Sequence, residues 1–518
     1  MVESPYKLSW IAVLSACISF VGLQALAFAY AGVFEYPLDD VYIHLAMAEG
    51  ISQGTYGVNP GVAASAASSI LWPLLVLPFP GTEFQRMLPL VWNVVALLGC
   101  AWLWGRAVAL GGYPKLWALA LAVLGPVALN MPGVAYVGME NAFHAFVSMV
   151  VLFGLWQFTA SGRISVWFAL ALILSPLIRL EGLALSLAAV GIIVLRGQLK
   201  AALLLAAGIV LPVVAFAGFL TSLGLDPLPG SVLAKMQLVG RDLGLVERIF
   251  ETLLRNLVTL PGQLLGVLTV VAAVLPLISP VLRKAPAGPV LLALTAAGAA
   301  HMLFAQIGWM HRYEHYMVLT LVTGLVLVGG ELVRSGAGRG TLVHVLVSVA
   351  IAVAALGYWP KLLGDYAWNP RAIHLQQAQT ARFAKEFLQA PVAVNDLGWA
   401  AWNNENFVLD LWGLGSEEVR HILFAPVPPA NGWADPLVKA HNVRAAMIYD
   451  SWFAPAVGPD WVRMGEMTMD GHFGKIGDWT VSFYATDPAS VDDLRAAMVA
   501  FAPTLPPDAH MTLTEAGQ

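Results

Sequence analysis

Charge is scarce in this chain. Only 11% of its 518 residues are Asp, Glu, Lys or Arg, against about 25% in ordinary soluble domains. With 58% hydrophobic residues and a mean hydropathy of +0.73, the composition excludes a soluble fold and points to an integral membrane protein. Cysteine is nearly absent. Cys17 and Cys100 both lie in apolar stretches, where they read as small core residues, so neither a disulfide framework nor a thiolate metal cluster is expected. No basic run accompanies the net charge of -5, which argues against nucleic acid as a partner. Walker and dinucleotide fingerprints are also missing, so a nucleotide-activated donor from the cytoplasm is not expected. No internal repeat, low-complexity tract or transporter-type inverted repeat stands out.

What the chain has in abundance is long apolar runs. A hydrocarbon core about 30 Å thick takes roughly 20 apolar residues per helix. Suitable runs lie near 9–33, 86–108, 114–131, 139–160, 164–178, 183–196, 201–222, 263–282, 288–309, 314–333 and 340–359, about eleven by the apolar-run criterion. The pair 164–178 and 183–196 is short for full crossings. The first run is too long for a signal peptide and reads as a retained anchor. Basic residues recur in alternate short loops: Lys7, then Arg106 and Lys115, Arg163, Arg196 and Lys200, Arg283 and Lys284, and Arg334 and Arg339. The positive-inside rule then predicts a multi-pass plasma-membrane protein with a cytoplasmic N-terminus and an extracytoplasmic C-terminus.

That topology divides the chain into a membrane module, 1–359, and an extracytoplasmic domain, 360–518. Two loops of the membrane module, 34–85 and 223–262, fall on the same side as the tail. The tail is far more polar than the rest. It combines a helix-like stretch (371–388) with strand-like runs at 392–396, 407–411 and 479–484, and it ends in a helix capped by Ser490. A small α/β domain is predicted.

The first loop carries the adjacent carboxylates Asp39 and Asp40. They begin a helix in which Tyr42, His44 and Glu49 are polar while Val41, Leu45 and Ala48 form a thin apolar stripe, a pattern that predicts a helix lying in the membrane interface. Helix capping accounts for one acid of the pair and leaves the other unexplained. A turn-rich run, 54–61, folds the chain back, and 70–79 is too short to span.

These segments together resemble the GT-C class of membrane glycosyltransferases. The motifs are Asp39-Asp-Val-Tyr-Ile43, Gly57-Val-Asn-Pro-Gly61 and Ser68-Ser-Ile-Leu-Trp72. They are most similar to the actinobacterial cell-wall arabinofuranosyltransferases, and more distantly to protein O-mannosyltransferases and the lipid A aminoarabinose transferase. Further matches are Gly138-Met-Glu140, Arg179-Leu-Glu-Gly182, Pro229-Gly-Ser-Val-Leu-Ala-Lys235, Asp396-Leu-Gly398 and Asp410-Leu-Trp-Gly-Leu414. One departure is the absence of an arginine after the acid pair.

The resemblance implies a GT-C fold of about eleven membrane helices. It also implies inverting transfer from a polyprenyl-phosphate sugar to a glycan, lipid or protein acceptor on the outer face of the cell envelope. Asp39 takes the base position by family placement, with Asp40 orienting or assisting; the order of the two stays open. The leaving phosphate needs cations, and Lys235, Arg241, Arg312 and Arg179 compete for it, Lys235 first. Tyr42, His44, Glu140, His311 and His315 are candidate substrate contacts. Four of these candidates have a plainer role: Arg179 pairing with Glu181, Glu140 serving a helix N-terminus, and His311 and His315 anchoring at the interface. His311 and His315 stand at i, i+4 without a third ligand nearby, so no metal site is assigned. The acid pair offers ligands for a divalent cation, which the resemblance does not require. Rival readings are a transporter or flippase of a lipid-linked substrate and a non-catalytic envelope-assembly scaffold.

Overall fold

The computed structural model describes residues 6–237, 243–336, 340–425, 427–472 and 474–514. The chain is a mainly helical, multi-pass membrane protein with a small α/β domain at its C-terminal end. Among the described residues nine helices are long and apolar enough to cross a membrane, from Lys7–Ala31 to Gly340–Lys361. The two short runs of the sequence form Val166–Ile178 and Gly182–Leu195, apolar but below that length.

Two compact units emerge. The first comprises Met1–Gln24, Leu90–Phe216 and Leu243–Leu362. Its central helix is His315–Arg334, 89% of whose apolar window is buried, packed on Asn141–Ser161, Ala287–Phe304 and Gly340–Tyr358. The most apolar helix, Leu199–Ser222, is only 17% buried. In water that combination would be untenable; facing lipid tails it costs nothing.

The second unit comprises Ala25–Pro89, Ala217–Asp242 and Leu363–Gln518. Its centre is a six-stranded sheet of β1 (Val392–Val394), β2 (Val408–Asp410), β3 (Ala445–Ile448), β4 (Val462–Met469), β5 (Thr480–Ala485) and β6 (Ala509–Leu513), ordered β2-β1-β3-β5-β4-β6. β1 runs parallel to both β2 and β3, while the remaining pairs are antiparallel. The strands β1, β2 and β5 fall on predicted runs; β3, β4 and β6 were not foreseen. β3 (Ala-Ala-Met-Ile) is buried throughout and therefore lacks the alternation by which a strand is read. The closing helix is Val491–Phe501, but Ser490 makes no side-chain cap; Asp487 instead accepts from Ala489 N at 2.8 Å.

The helix after the acid pair is Asp40–Ser52, with Val41 through Ala48 all buried within the protein. Its polar residues find partners inside the unit: Tyr42 donates to Glu35, and His44 meets Ser68 at 3.3 Å.

Candidate functional site

Asp39 caps a helix, but not its own. It makes no side-chain bond to Asp40–Ser52. Its carboxylate reaches the turn after β1, where Gly398 N donates to Oδ2 at 2.6 Å and Trp399 N to Oδ1 at 2.9 Å. The approach demands glycine: a Cβ at Gly398 would collide with the backbone oxygen of Asp39. Gly398→Ala is therefore expected to destabilise the fold by about 1–3 kcal/mol, read as a lower unfolding temperature in detergent.

Other first-loop motifs grip the same segment. Asn59 acts as an extra rung on edge strand β2, accepting from Val408 N at 2.8 Å and donating to Val408 O at 2.9 Å. Glu49 accepts from Asn403 N at 2.8 Å, and Gln85 from Trp402 Nε1 at 2.9 Å. Ser69 caps the turn into Trp72 at 3.0 Å.

Around Asp39 the electrostatics are unusual. Burial raises its carboxyl well above the ordinary range, and the charge of Asp396 adds to that rise. Asp396 is itself raised by burial against hydrogen bonds from Gln377 (2.8 Å) and Tyr449 (3.0 Å). Asp40 is only partly buried and repels both. Three carboxyls thus share one neighbourhood, in which burial and like charge both oppose ionisation of Asp39 and Asp396. Beside them Tyr42 stacks on Trp399 at 4.1 Å. Lys385, lowered to about 8 by burial, lies over Trp399 and donates to the carbonyls of Trp399 and Trp402.

Glu35, four residues before Asp39 in the segment between helices, is raised to about 7, by burial first and against bonds from Tyr42 and Tyr36 and the charge of Arg86. Arg86 also donates to Glu83 (2.7 Å) and Tyr42 (3.3 Å). The folded state keeps the Glu35 proton up to about pH 7, whereas the unfolded chain loses it near 4.5. Stability should therefore fall as pH rises through that window. Glu35→Gln should flatten this part of the pH dependence of thermal unfolding between pH 5 and 8.

A second polar cluster lies within the helical unit. Arg179 follows Val166–Ile178 and is buried between two carboxylates, Glu140 Oε1 and Glu181 Oε1, each at 2.6 Å. Tyr313 lies under two guanidiniums, Arg179 at 5.5 Å and Arg312 at 5.1 Å. Asn141 Nδ2 donates to Arg312 O at 3.1 Å. Trp309, Met310 and His311 all hold left-handed backbone (φ 46, 58 and 55), a strained run for residues with side chains. It delivers Arg312 into the cluster. His311 pairs with Glu314 at 3.8 Å, and His315 Nε2 bonds Leu129 O at 2.8 Å. The two histidines thus have separate partners and no shared ligand. The structure therefore gathers Glu140, Arg179 and Arg312, and gathers Asp39, Asp40 and Tyr42 elsewhere in the chain.

Lys235 belongs to helix Gly230–Gln237, whose first amide donates to Ser65 O at 2.9 Å; its side chain and Arg241 lie outside the described residues. Among the described residues, the donor set with metal-like spacing is Asp226, Glu417 and His421. Its two carboxylates already share Arg420 Nη2, at 2.8 and 2.6 Å.

Sequence reasoning gave no role to Glu35, Arg86, Lys385 or Tyr449, and named Asp396 only within a motif. It also passed over His144 and His301, which flank Tyr316 inside the bundle (ring centroids 4.2 and 5.5 Å). An ionisable residue inside an apolar span was the available signal.

A family described as "Domain of unknown function (DUF8728)" matches residues 369–484. No curated protein matches the chain. Two solved structures are similar to it, both of ArnT from Cupriavidus metallidurans. The apo form is 16% identical with a TM-score of 0.43, and the form bound to undecaprenyl phosphate is 15% identical with a TM-score of 0.41. Each alignment covers 92% of this chain and 98% of the other.

Proposed function

We propose that the chain is an inverting GT-C glycosyltransferase that moves a sugar from a polyprenyl phosphate to a hydroxyl of an envelope glycan, lipid or protein. The observation that carries this reading is the carboxyl group of three, Asp39, Asp40 and Asp396, in a membrane protein whose first-loop residues Asp39 and Asn59 bind the tail.

Within that group the roles divide by geometry. Both Asp39 oxygens already accept backbone N–H groups, so Asp39 acts best as the fixed point that locks the loop. Asp40, next in the chain and partly exposed, is the better general base. It takes the proton of the acceptor hydroxyl as that oxygen attacks the anomeric carbon from the face opposite the phosphate. The C–O bond to phosphate breaks, the configuration inverts, and the polyprenyl phosphate leaves with the bonding electron pair. Cations favour that departure. Lys235 is the first candidate and Arg312 the second; Arg179, neutralised by two carboxylates, is a weak one. The expected location is the plasma membrane, with Asp40 and the tail on the extracytoplasmic side.

The deciding experiment presents the purified protein in proteoliposomes with radiolabelled polyprenyl-phosphate sugars and envelope acceptors. Labelled glycoside with released polyprenyl phosphate supports the reading. A second reading, transport of a lipid-linked substrate, draws on the buried Glu140–Arg179–Glu181 group and the nearby histidines. Movement of labelled lipid across the bilayer without any glycoside product would favour it instead.

A further inference from the structure

Helix Leu245–Val258 of the helical unit carries four charged residues in fourteen, Glu247, Arg248, Glu251 and Arg255. At about 3.6 residues per turn its side chains fall into three sectors. Thr252 and Asn256 share the buried one. Val246, Phe250, Leu253, Leu254 and Leu257 make up the second, and it is largely open: Val246 is 78% and Phe250 60% exposed. The four charged residues make up the third. In water a helix packed on protein needs only two kinds of surface, one for the core and one for solvent. Here an uncovered apolar sector lies beside both.

The level of this helix in the membrane follows from its C-terminal end. Asn256 Nδ2 donates to Met302 O at 3.0 Å and to Ala305 O at 2.8 Å. Those carbonyls stand at the end of crossing helix Ala287–Phe304, where a helix leaves its last acceptors open. Thr259 then caps the next crossing helix, Leu260–Ile278, accepting from Gly262 N at 3.1 Å. The C-terminal end is thus pinned where one crossing segment stops and another starts, at the edge of the hydrocarbon core. Phe304 and Trp309 are exposed at the same end, and tryptophan favours that depth. The next helix is uncovered in the same way, at Leu260, Val267, Val270 and Leu277. In a crossing helix such residues meet lipid tails. Crossing is closed to Leu245–Val258 itself, which is about 21 Å long at roughly 1.5 Å per residue against a core of about 30 Å.

We propose that Leu245–Val258 lies flat in the interfacial layer of the membrane, with Phe250 and its neighbours at the acyl boundary and the charged sector among the headgroups. The partner is a lipid surface, and a neutral one suffices. Two acids and two bases cancel, and each is answered locally. Gly244 N donates to Glu247 Oε2 at 2.9 Å, Arg248 Nε to Leu243 O at 2.9 Å, and Arg255 Nε to Glu251 Oε1 at 2.8 Å. Attraction to anionic lipid comes from clustered lysine and arginine, which this helix lacks. Apolar burial holds it down, so screening by salt should not lift it. Through Asn256 and Thr259, its depth sets the depth of the junction between two crossing helices.

The test places the photoreactive residue p-benzoylphenylalanine at one position at a time in the otherwise native full chain. The protein is reconstituted in phosphatidylcholine nanodiscs and irradiated, and adducts are identified by mass spectrometry. In place of Val246, Phe250 or Leu257 the probe is expected to give phospholipid adducts, several-fold more than in place of Glu251 or Arg255. Adding phosphatidylglycerol or raising the salt should leave those yields unchanged. Equal lipid yields in both sectors would deny the helix a lipid side, and no lipid adduct at Phe250 would leave that side in water; either result overturns the inference. Adducts at Val246 and Phe250 to a second copy, or to another segment of this chain, would overturn it as well, because protein would then cover the face. A lipid yield that climbs with phosphatidylglycerol and falls with salt would mean electrostatic attachment, which the proposal excludes.

Discussion

Asp40→Asn is expected to lower sugar transfer by roughly 10²–10⁴-fold, the usual worth of a general base, with donor binding and fold retained. Asparagine keeps the shape of the side chain and removes its ability to take a proton. Because Asp40 is partly exposed, the change should cost the fold no more than about 0.5 kcal/mol. Asp39→Asn should behave in the opposite way. One of the amides of Gly398 and Trp399 would then face an N–H₂ group instead of an oxygen, at about 1–3 kcal/mol for the unmet donor. The residual activity of that variant should follow its folded fraction. Initial rates and unfolding temperatures measured on both variants separate base from brace. Near-wild-type transfer by Asp40→Asn would remove it from the mechanism.

Arg179→Met should be the most damaging substitution in the helical unit. Glu140 is fully buried and Glu181 partly so, and Arg179 meets each at 2.6 Å. Removing only the cation strands two carboxylates in a medium that solvates them poorly, at about 3–5 kcal/mol. The deficit should shrink on acidification, because protonating the stranded carboxyls removes the charge that burial penalises. Adding Glu140→Gln to Arg179→Met should recover part of the loss at neutral pH. Folded yield by size exclusion at pH 5 and pH 8 measures both effects. An Arg179→Met protein as stable as wild type at pH 8 would show that this pair is not what organises the cluster.

Much of the architecture was legible because apolar length is a crude but physical ruler. Runs such as 201–222 and 314–333 became Leu199–Ser222 and His315–Arg334, since within a single segment only a helix satisfies its own backbone in lipid. The first-loop motifs were legible as residues worth noticing, but not as to what they do. Asn59 looks like a turn residue from its neighbours, yet its amide serves an edge strand far along the chain. Asp39 looks like a local cap for the same reason. Local patterns report only on local partners. A bond to Val408 or Gly398 leaves no periodicity to read. The partners of the polar residues on Asp40–Ser52, Glu35 for Tyr42 and Ser68 for His44, likewise carry no signature in the sequence.

The partners of Asp39 and Asn59 lie 359 and 349 residues downstream. At synthesis rates of about 5–20 residues per second, the first loop waits roughly 20–70 s for the segment that completes it. During that delay a carboxylate, an asparagine and a largely apolar helix have no native surroundings. A chain that stops before residue 398 therefore cannot assemble the acid cluster, however well its membrane helices insert. Completion of the first loop is thus a late event, and until then that loop lacks its native partners.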